Sequence, residues 1–270
     1  MKDLRAQYGE YALITGASSG MGAEFAQQLA AAGLNLALVA RRKDRLDALA
    51  QRLRAAHGTT TEVIELDLAV DGAVAELARR TAQLDVGLVV ASAGVVTSGP
   101  FLANDLAAEL ALLHLNLMVP AELAHVYGRV LARRGRGGII LVSSAVAFSP
   151  VPYTANYAAA KAYTASLGQA LNHELKPAGV NVLTLAPGPV RTEGADAAEG
   201  IDFGKLPVPS MQPGPVVRAA LRALGRRPLV IPGALNKASD FAGKYLTPRR
   251  AQTAMFGALV SRALDEKPRG

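Results

Sequence analysis

The sequence predicts an α/β fold: a single doubly wound parallel β-sheet with helices on both faces and a helical extension at the carboxyl end. Short apolar segments alternate with helical segments from residue 11 to residue 231, the order that builds a parallel sheet. A glycine-rich turn joins the first strand to the first helix of this series. The run Ile139–Val142 follows a glycine pair and is apolar throughout, which is typical of a strand covered on both faces.

Length and composition favour one domain. A chain of 270 residues can bury a large core, so we predict one domain over residues 1–270, in which residues 232–270 form the extension. Cysteine is absent, which rules out disulfides and thiolate metal sites, and a cytoplasmic location is expected. No metal site is predicted.

The pattern of apolar residues and the net charge allow predictions about targeting and about binding partners. The first ten residues lack the apolar core of a signal peptide, and polar residues or proline interrupt every long apolar stretch, so we predict no membrane-spanning helix. The net charge of +7 favours anionic partners in general. We find no nucleic-acid-binding module, so nucleic acid is not a predicted partner.

The first predicted strand, Tyr11 to Ile14, is followed by the glycine-rich turn and then by a helix that ends at Gly33. Such a turn lets the backbone approach a pyrophosphate, and the N–H groups at the helix start favour its negative charge. A glycine-rich hairpin is the alternative, but a hairpin would continue into a strand. The residues predicted to bind a dinucleotide here are Gly16, Ser18, Ser19, Gly20, Met21 and Gly22.

Leu34 to Ala40 is the second predicted strand. Arg41 then stands where an NAD-binding enzyme normally carries an acidic residue for the ribose 2′-hydroxyl. Because a guanidinium can bind a 2′-phosphate instead, the predicted cofactor is NADP(H). Arg42 is assigned to the basic face of the next helix, residues 43–58, to which Arg41 could also belong.

Thr61 to Leu66 and Gly87 to Ala91 are the third and fourth predicted strands. Between them, Asp71 is expected to cap a helix, which leaves Asp67 free. After the fourth strand, Gly94 permits close backbone approach.

A long apolar helical region from Asp105 to Arg134 contains Asn116, a poor helix former that usually lies at a boundary or faces water. The fifth strand then ends at Ser143 and Ser144, which places both at the sheet edge that faces the ligand crevice.

The helix predicted from Ala155 carries Tyr157 and Lys161 four residues apart, and therefore on one face. A nearby ammonium lowers the pKa of a phenol, so Tyr157 could exchange a proton near neutral pH while the Ser144 hydroxyl holds a carbonyl oxygen. An exposed helix face is the alternative interpretation.

The sixth strand, Val180 to Ala186, leads to Pro187 and Gly188. The irregular stretch from Gly194 to Gln212 is typical of a lid or binding loop. A helix over residues 214–224 and a strand at Leu229 to Ile231 complete the predicted sheet.

The serine, the Tyr-x-x-x-Lys spacing and the T-G-x-x-x-G-x-G turn resemble the classical short-chain dehydrogenase/reductase family, whose fold is Rossmann-like. The resemblance implies that Ser144, Tyr157 and Lys161 are catalytic and that Asn116 holds a water that relays protons to Lys161. It also implies that Tyr157 and Lys161 contact the cofactor, together with Asp67 and Leu68 at the adenine, and Ala93, Gly94, Pro187, Gly188, Val190 and Thr192 elsewhere. Ala91-Ser92 departs from the usual Asn-Asn, and Ser92 is expected to take over part of its role in holding the neighbouring backbone.

These observations predict an NADPH-dependent oxidoreductase that reduces a hydrophobic ketone, aldehyde or acyl carbonyl to an alcohol, or catalyses the reverse, with Tyr157 as the general acid/base. The apolar residues expected on the substrate side are Val95, Val96, Val146, Phe148 and Val151. A non-catalytic NADP(H)-binding sensor or scaffold is the alternative. A nucleotide-sugar epimerase would need a longer chain and another glycine spacing.

The sequence predicts self-association and leaves two interpretations of the carboxyl-terminal extension. The helices from Asp105 and Ala155 are apolar beyond one face, which predicts a homodimer or homotetramer. In the extension, Thr247 is predicted to cap a helix with Ala251, Met255, Ala258 and Leu259 on one side and Arg249, Arg250, Gln252 and Arg262 on the other. The apolar side packs on the body or a partner subunit, or the basic side associates weakly with an anionic membrane surface.

Overall fold

The computed structural model describes residues 4–192, residue 205 and residues 209–264. Within them lie the strands β1 (Tyr11–Thr15), β2 (Asn35–Ala40), β3 (Thr61–Glu65), β4 (Val86–Ala91), β5 (Gly137–Val142), β6 (Val180–Leu185) and β7 (Leu229–Val230). They form one parallel sheet in the order β3-β2-β1-β4-β5-β6-β7. The predicted doubly wound sheet is confirmed, whereas the extent of the domain stays a prediction.

Helices connect these strands. The described residues contain the α-helices α1 (Leu4–Tyr8), α2 (Gly20–Ala31), α3 (Lys43–His57), α4 (Ala73–Arg80), α5 (Leu106–Leu113), α6 (Val119–Arg134), α7 (Ala155–Leu175), α8 (Pro213–Ala223), α9 (Ala234–Leu246) and α10 (Arg249–Ala263). Short 3₁₀ segments cover Phe101–Ala103, Ala145–Phe148 and Lys176–Ala178.

Strand β1 lies at the point where the winding of the sheet reverses. It pairs with β2 on one side, where Tyr11 is opposite Asn35, and with β4 on the other, where Ala12 is opposite Leu88. In open parallel sheets of this kind, ligands bind beyond the carboxyl ends of the strands at this reversal. The fold therefore directs the ends of β1, β4 and β5 toward one crevice.

Two hydrophobic layers cover the faces of the sheet. Ile14 belongs to the layer formed with α2, α3 and α8, and its neighbour Leu13 belongs to the layer formed with α4 and α6. Successive residues of a strand point to opposite faces, so a strand covered on both sides is apolar without alternation. Strands β4 and β5 are buried along their whole length, which explains their continuous apolar sequence.

The amino-terminal helix α1 closes the other end of the sheet. The Tyr8 side chain is 1% exposed and lies over Gly138, where a Cβ atom would be 2.9 Å from the Tyr8 ring. Burial raises the pKa of Tyr8 to about 12, and a side-chain hydrogen bond from Asn181 partly opposes this shift. The second glycine of the Gly137–Gly138 pair therefore makes room for an aromatic ring.

Residues 106–134 form one continuous helical segment in which a π-helical turn, His114–Met118, separates α5 from α6. By length and composition alone, this segment qualifies as a candidate to span a membrane. Its residues Val119, Leu123 and Leu131 are, however, buried in the same layer as strand residues of the sheet. One face of α6 therefore packs on the sheet.

Some local predictions are wrong. Asp71 does not cap α4: the N-cap is Gly72, which adopts a left-handed conformation (φ 76°) without a side-chain cap. Asp67 is not free, because its carboxylate accepts a hydrogen bond from the Ala69 N–H (2.9 Å). A short turn formed by Asp67 therefore leads from β3 toward α4.

The extension also differs from its prediction. It contains two helices, and Pro248 rather than Thr247 holds the N-cap position of α10, because the Thr247 hydroxyl donates to the Ala242 carbonyl (3.2 Å). Gln252, assigned to the polar side, is 4% exposed, and Met255, assigned to the packed side, is 54% exposed. Gln252 is buried because its side-chain oxygen accepts a hydrogen bond from Ser149 (2.8 Å) and its amide donates to Thr247 O (2.7 Å).

Most of the stretch 194–212, predicted to be a lid, lies outside the described residues, namely 194–204 and 206–208. Its flanks are joined by a parallel bridge between Val190 and Met211, with hydrogen bonds from Arg191 N to Met211 O (2.9 Å) and from Met211 N to Pro189 O (2.8 Å).

Candidate active site

The glycine-rich turn has the geometry that an approaching anion requires. Gly16 and Gly20 adopt positive φ values of 68° and 54°, which side chains rarely tolerate. A Cβ atom on Gly22 would lie 2.2 Å from the Gly16 carbonyl oxygen. Helix α2 begins at Gly20, and its N-cap residue Ser19 makes no side-chain capping bond. The N–H groups of the first turn therefore point out of the helix without a side-chain acceptor at the cap.

Arginine lies over this turn, but it is Arg42 that contacts it. The Arg42 guanidinium donates to the hydroxyls of Ser18 (3.1 Å) and Ser19 (2.9 Å). Its assignment to the basic face of α3 is wrong, because Arg42 occupies the N-cap position of that helix and reaches back to the turn. Arg41 is two-thirds exposed, with its guanidinium 3.9 Å from the Asp67 carboxylate. The prediction selected Arg41, whereas in the structure Arg42 is the arginine that contacts the turn.

The Thr15 hydroxyl makes a connection that sequence reasoning missed. Thr15 is fully buried at the end of β1, where its hydroxyl donates to the Val90 carbonyl (3.4 Å) and accepts from the N–H groups of Ser92 and Ala93 (3.1 Å each). The Thr15 hydroxyl and the Ser92 backbone, rather than the Ser92 side chain, thus hold the segment in which the family usually has Asn-Asn. A buried threonine at the end of the central strand was the signal in the sequence.

Ser144 and Tyr157 meet at the carboxyl end of β5. Strand β5 ends at Val142, and Ser144 is the second residue beyond it. Tyr157 lies in the first turn of α7. The neighbouring Ser144 hydroxyl acts to lower the pKa of the Tyr157 phenol. Burial has the larger effect, so the pKa of Tyr157 is raised above its ordinary value of 10. The expectation that Lys161 lowers this pKa is therefore not met in the protein alone, where desolvation of the phenol dominates.

Lys161 lies one helical turn beyond Tyr157, with its Nζ 5.6 Å from the centre of the Tyr157 ring. The side chain is 5% exposed, and Nζ donates to the Val142 carbonyl (3.1 Å). Burial lowers the pKa of Lys161 from 10.5 to about 8. The Ser143 hydroxyl donates to the Lys161 carbonyl (2.7 Å) and thereby connects α7 to the end of β5.

Asn116 is fully buried in the π-helical turn, so it neither faces water nor ends a helix. Its amide donates to the carbonyls of Val95 (2.8 Å) and Leu112 (3.1 Å), while its Oδ1 makes no hydrogen bond within the described residues. A Cβ atom on Gly94 would lie 2.5 Å from this oxygen and 3.4 Å from Lys161 Nζ. The side chains of Asn116 and Lys161 therefore both border the space next to Gly94. π-Helical turns are frequent at functional sites.

The remaining predicted residues frame the crevice. Thr192 packs on the glycine-rich turn, since a Cβ atom on Gly20 would lie 3.0 Å from its side chain. Gly188 lies under Asn236 of α9, whose Oδ1 would be 2.5 Å from a Cβ atom there. Leu68 and Val190 are buried in the core, so their side chains are structural. Asn236 and Thr164, whose hydroxyl is 3.1 Å from the Asn116 carbonyl, were not found from the sequence.

Comparison with known proteins agrees with this arrangement. Residues 10–199 match the family described as short chain dehydrogenase, and the chain belongs to this family. It is therefore an oxidoreductase of the short-chain dehydrogenase/reductase type, which uses a nicotinamide cofactor.

Three relatives illustrate the similarity. The chain is 30% identical over 239 residues to a 7β-hydroxysteroid dehydrogenase of Collinsella aerofaciens, an alignment covering 88% of this chain and 91% of the relative. It is 34% identical over 242 residues to a very-long-chain 3-oxoacyl-CoA reductase of Neurospora crassa, covering 88% and 68%. Among solved structures, a short-chain dehydrogenase from Sphingobium yanoikuyae in complex with NADPH superposes with a TM-score of 0.77 at 34% identity, covering 88% and 96%.

The residues of this chain fit a nicotinamide dinucleotide. The turn formed by Gly16, Gly20 and Gly22 can adopt its tight conformation only with glycine, because side chains at these positions would clash with neighbouring protein atoms. Such a turn at the start of a helix lets backbone N–H groups approach a pyrophosphate. The buried and unbonded Asn116 Oδ1 marks a polar position beside Lys161. Each predicted contact between a named residue and the cofactor stays a prediction.

Proposed function

We propose that the protein reduces a hydrophobic ketone, aldehyde or acyl carbonyl with NADPH, or catalyses the reverse oxidation. The observation that carries this proposal is the grouping of the Ser144 and Tyr157 side chains at the end of β5, with Lys161 buried beside the phenol ring. It brings a hydroxyl donor and a proton donor to one point at the carboxyl end of β5. When bound there, NADPH would supply the hydride.

The side chains have distinct roles in this proposal. Tyr157 keeps its proton at neutral pH because burial raises its pKa, so it can protonate the alkoxide that forms from the carbonyl. Ser144 donates a hydrogen bond to the same oxygen and orients it. Lys161 carries a positive charge below its pKa of about 8, which stabilises negative charge developing on the phenol during proton transfer.

Proton return to Tyr157 needs a route to solvent. Asn116 Oδ1 and Lys161 Nζ border the same space next to Gly94, and a water held between them would connect Lys161 with solvent. We assign Asn116 this positioning task, because both hydrogens of its amide are already donated to Val95 O and Leu112 O.

The preference for NADP(H) rests on the two arginines. Arg41 and Arg42 follow β2 directly, and the Arg42 guanidinium is already in contact with the glycine-rich turn. Asp67 is the carboxylate near Arg41, at 3.9 Å, a distance that leaves the guanidinium able to bind a phosphate as well. The NADPH-bound relative supports the same cofactor.

A large apolar substrate is favoured over a sugar. Val95 is 38% exposed beside the site, and Val146, Phe148 and Val151 follow Ser144. The names of two relatives specify a hydroxysteroid and a very-long-chain 3-oxoacyl-CoA as their substrates, both of which contain large apolar groups. The wild-type protein should therefore oxidise NADPH with some member of a panel of bulky ketones, aldehydes and acyl thioesters.

The same panel tests the alternative of a non-catalytic sensor or scaffold. Tight NADPH binding without turnover of any carbonyl compound, or of any alcohol with NADP⁺, would favour the sensor. Turnover that disappears when NADH replaces NADPH would support both the reaction and the cofactor preference.

We also propose that two copies associate through α5 and α7. Leu106, Leu110 and Tyr163 are exposed on these helices although they are large and apolar, with Leu106 at 66%. Apolar surfaces of this kind are usually covered by a partner. Light scattering at micromolar concentration should give twice or four times the 28.0 kDa of the chain, and a purely monomeric species would contradict the proposal.

For the extension, we propose weak association with anionic membranes from a cytoplasmic location. Phe241, Tyr245 and Leu246 of α9 are more than half exposed, and Arg249 and Arg250 at the start of α10 are exposed as well. Aromatic side chains beside basic ones suit the surface of an anionic bilayer. Sedimentation with anionic vesicles at low but not high salt would support this, and no sedimentation at low salt would exclude it.

A further inference from the structure

A buried carboxylate joins the two segments that flank the candidate active site. Glu109, in the first turn of α5, is 3% exposed. One of its oxygens accepts a hydrogen bond from the Asn104 amide (2.6 Å), and the other accepts from the Asn156 amide (2.8 Å). Asn104 belongs to the segment that follows β4, and Asn156 lies in the first turn of α7, directly before Tyr157.

A backbone contact joins the same two segments a second time. The Gly99 N–H donates to the Tyr153 carbonyl (2.9 Å). Tyr153 has a φ of 65° and is the only non-glycine residue with a positive φ in the part of the chain that the structure describes. Such a conformation persists where surrounding contacts enforce it, and it is frequent near functional sites. The chain after β4 and the chain before Tyr157 are therefore held together at two points.

The chemistry of Glu109 suggests a purpose other than stability. A buried carboxylate is costly to desolvate, and here both of its donors are neutral amides rather than cations. An apolar side chain at this point of α5 would fill the space without that cost. The carboxylate differs from an apolar side chain in that its two acceptor oxygens hold two amides at defined positions.

We propose that Glu109 is a positioning residue of the active site: through Asn156 it fixes the first turn of α7, and hence Tyr157, against the segment that follows β4. The inference rests on the proposed function, because its consequence is the rate of proton transfer from Tyr157. The phenol and the Ser144 hydroxyl must both reach the same carbonyl oxygen, and a misplacement of about 1 Å can cost about 10²-fold in rate. Asn104, tied to the same carboxylate, sets where the segment after β4 lies.

Two substitutions break the contact in different ways. Glu109→Ala leaves both amides without their acceptor, and Asn156→Asp places one carboxylate against another. We expect each to lower kcat by about tenfold or more, while the Kd for NADPH stays within about twofold, because the glycine-rich turn is not part of the contact. Glu109→Gln alone should be milder, since the Asn156 amide can rotate to present its oxygen to the new amide.

The double variant Glu109→Gln/Asn156→Asp restores the contact with its direction reversed. The glutamine amide donates to the new aspartate, and its oxygen still accepts from Asn104. We expect kcat to recover to within about threefold of wild type, a coupling that independent sites do not show. Glu174→Gln, which removes an exposed carboxylate from the same helix α7, serves as the matched control and should leave kcat unchanged.

The outcomes separate the possibilities. The role of Glu109 would be overturned if Glu109→Ala and Asn156→Asp kept wild-type kcat. It would also be overturned if the double variant had a kcat no higher than that of Asn156→Asp. A wild-type protein without turnover would overturn the proposed function instead. In that case, hydrogen exchange at the Gly99 N–H still tests the contact: it should be faster in Asn156→Asp and restored in the double variant.

Discussion

Lys161 is held in the active site at a cost to stability, and replacing it should therefore make the protein more stable. Burial lowers the pKa of Lys161 from 10.5 to about 8, so the charged form is disfavoured in the folded protein. At 1.36 kcal/mol per pKa unit, the penalty is about 3 kcal/mol. Lys161→Met removes the charge but keeps an unbranched side chain, and it loses the hydrogen bond to the Val142 carbonyl, which is worth about 1–2 kcal/mol. We expect a net gain of about 1–2 kcal/mol at pH 7, together with loss of turnover.

The pH dependence gives the sign of this effect. The unfolded chain binds the Lys161 proton up to about pH 10.5, whereas the folded protein releases it near pH 8. Between these values the unfolded state holds more protons, so this residue makes the wild type more stable as pH rises. The penalty is complete below pH 8 and absent above pH 10.5. The advantage of Lys161→Met should therefore shrink between pH 8 and pH 10.

Denaturant unfolding of both proteins at pH 7 and pH 10 measures the difference. A Lys161→Met protein that is less stable than wild type at pH 7 would refute the reasoning. So would an advantage that does not change between the two pH values, because it would then not arise from the buried charge.

Three further predictions follow from the site. Tyr157→Phe removes the proton donor and keeps the ring, so turnover should fall by about 10²–10⁴-fold with NADPH affinity preserved; a variant that retains half its activity would exclude Tyr157 as the acid. Arg41→Ala and Arg42→Ala should each weaken NADPH binding by about 10- to 100-fold and NADH binding little, and titration of cofactor fluorescence measures both; equal wild-type affinities for the two cofactors would contradict the assignment. Thr15→Val leaves the N–H groups of Ser92 and Ala93 without their acceptor and should cost about 1–3 kcal/mol in unfolding free energy, whereas Thr15→Ser should cost less than half as much. An unchanged melting temperature in Thr15→Val would show that the hydroxyl does not hold this segment.

The sheet and the proximity of Ser144, Tyr157 and Lys161 could be predicted because both depend on local sequence. Buried strands are apolar without interruption, and Tyr157 and Lys161 are neighbours on any helix. Asn116 could not be placed in the same way, because its burial depends on a π-helical turn and on packing next to Gly94. The spacing of residues in the sequence does not indicate a π-helical turn.

Long-range contacts account for the other differences. The choice between Arg41 and Arg42 depends on which side chain can reach the turn across the edge of the sheet, and the sequence places both at the end of β2. The buried face of α10 was mispredicted because Gln252 finds partners in Ser149 and in the end of α9. A polar side chain with enough hydrogen-bond partners can be buried, and the periodicity of a helix does not indicate where those partners lie.

The position of Tyr8 limits how far the chain can be shortened at its amino-terminal end. The match to the family model begins at residue 10, yet the ring that fills the space over Gly138 belongs to the residue two places earlier. A protein trimmed to residues 10–199 would lose the buried Tyr8 side chain, a change that typically costs about 3–5 kcal/mol. It would also lose α8, α9 and α10, which lie beyond residue 199. The stretch matched by the family model is therefore too short to guide truncation, and shortened versions should retain helix α1.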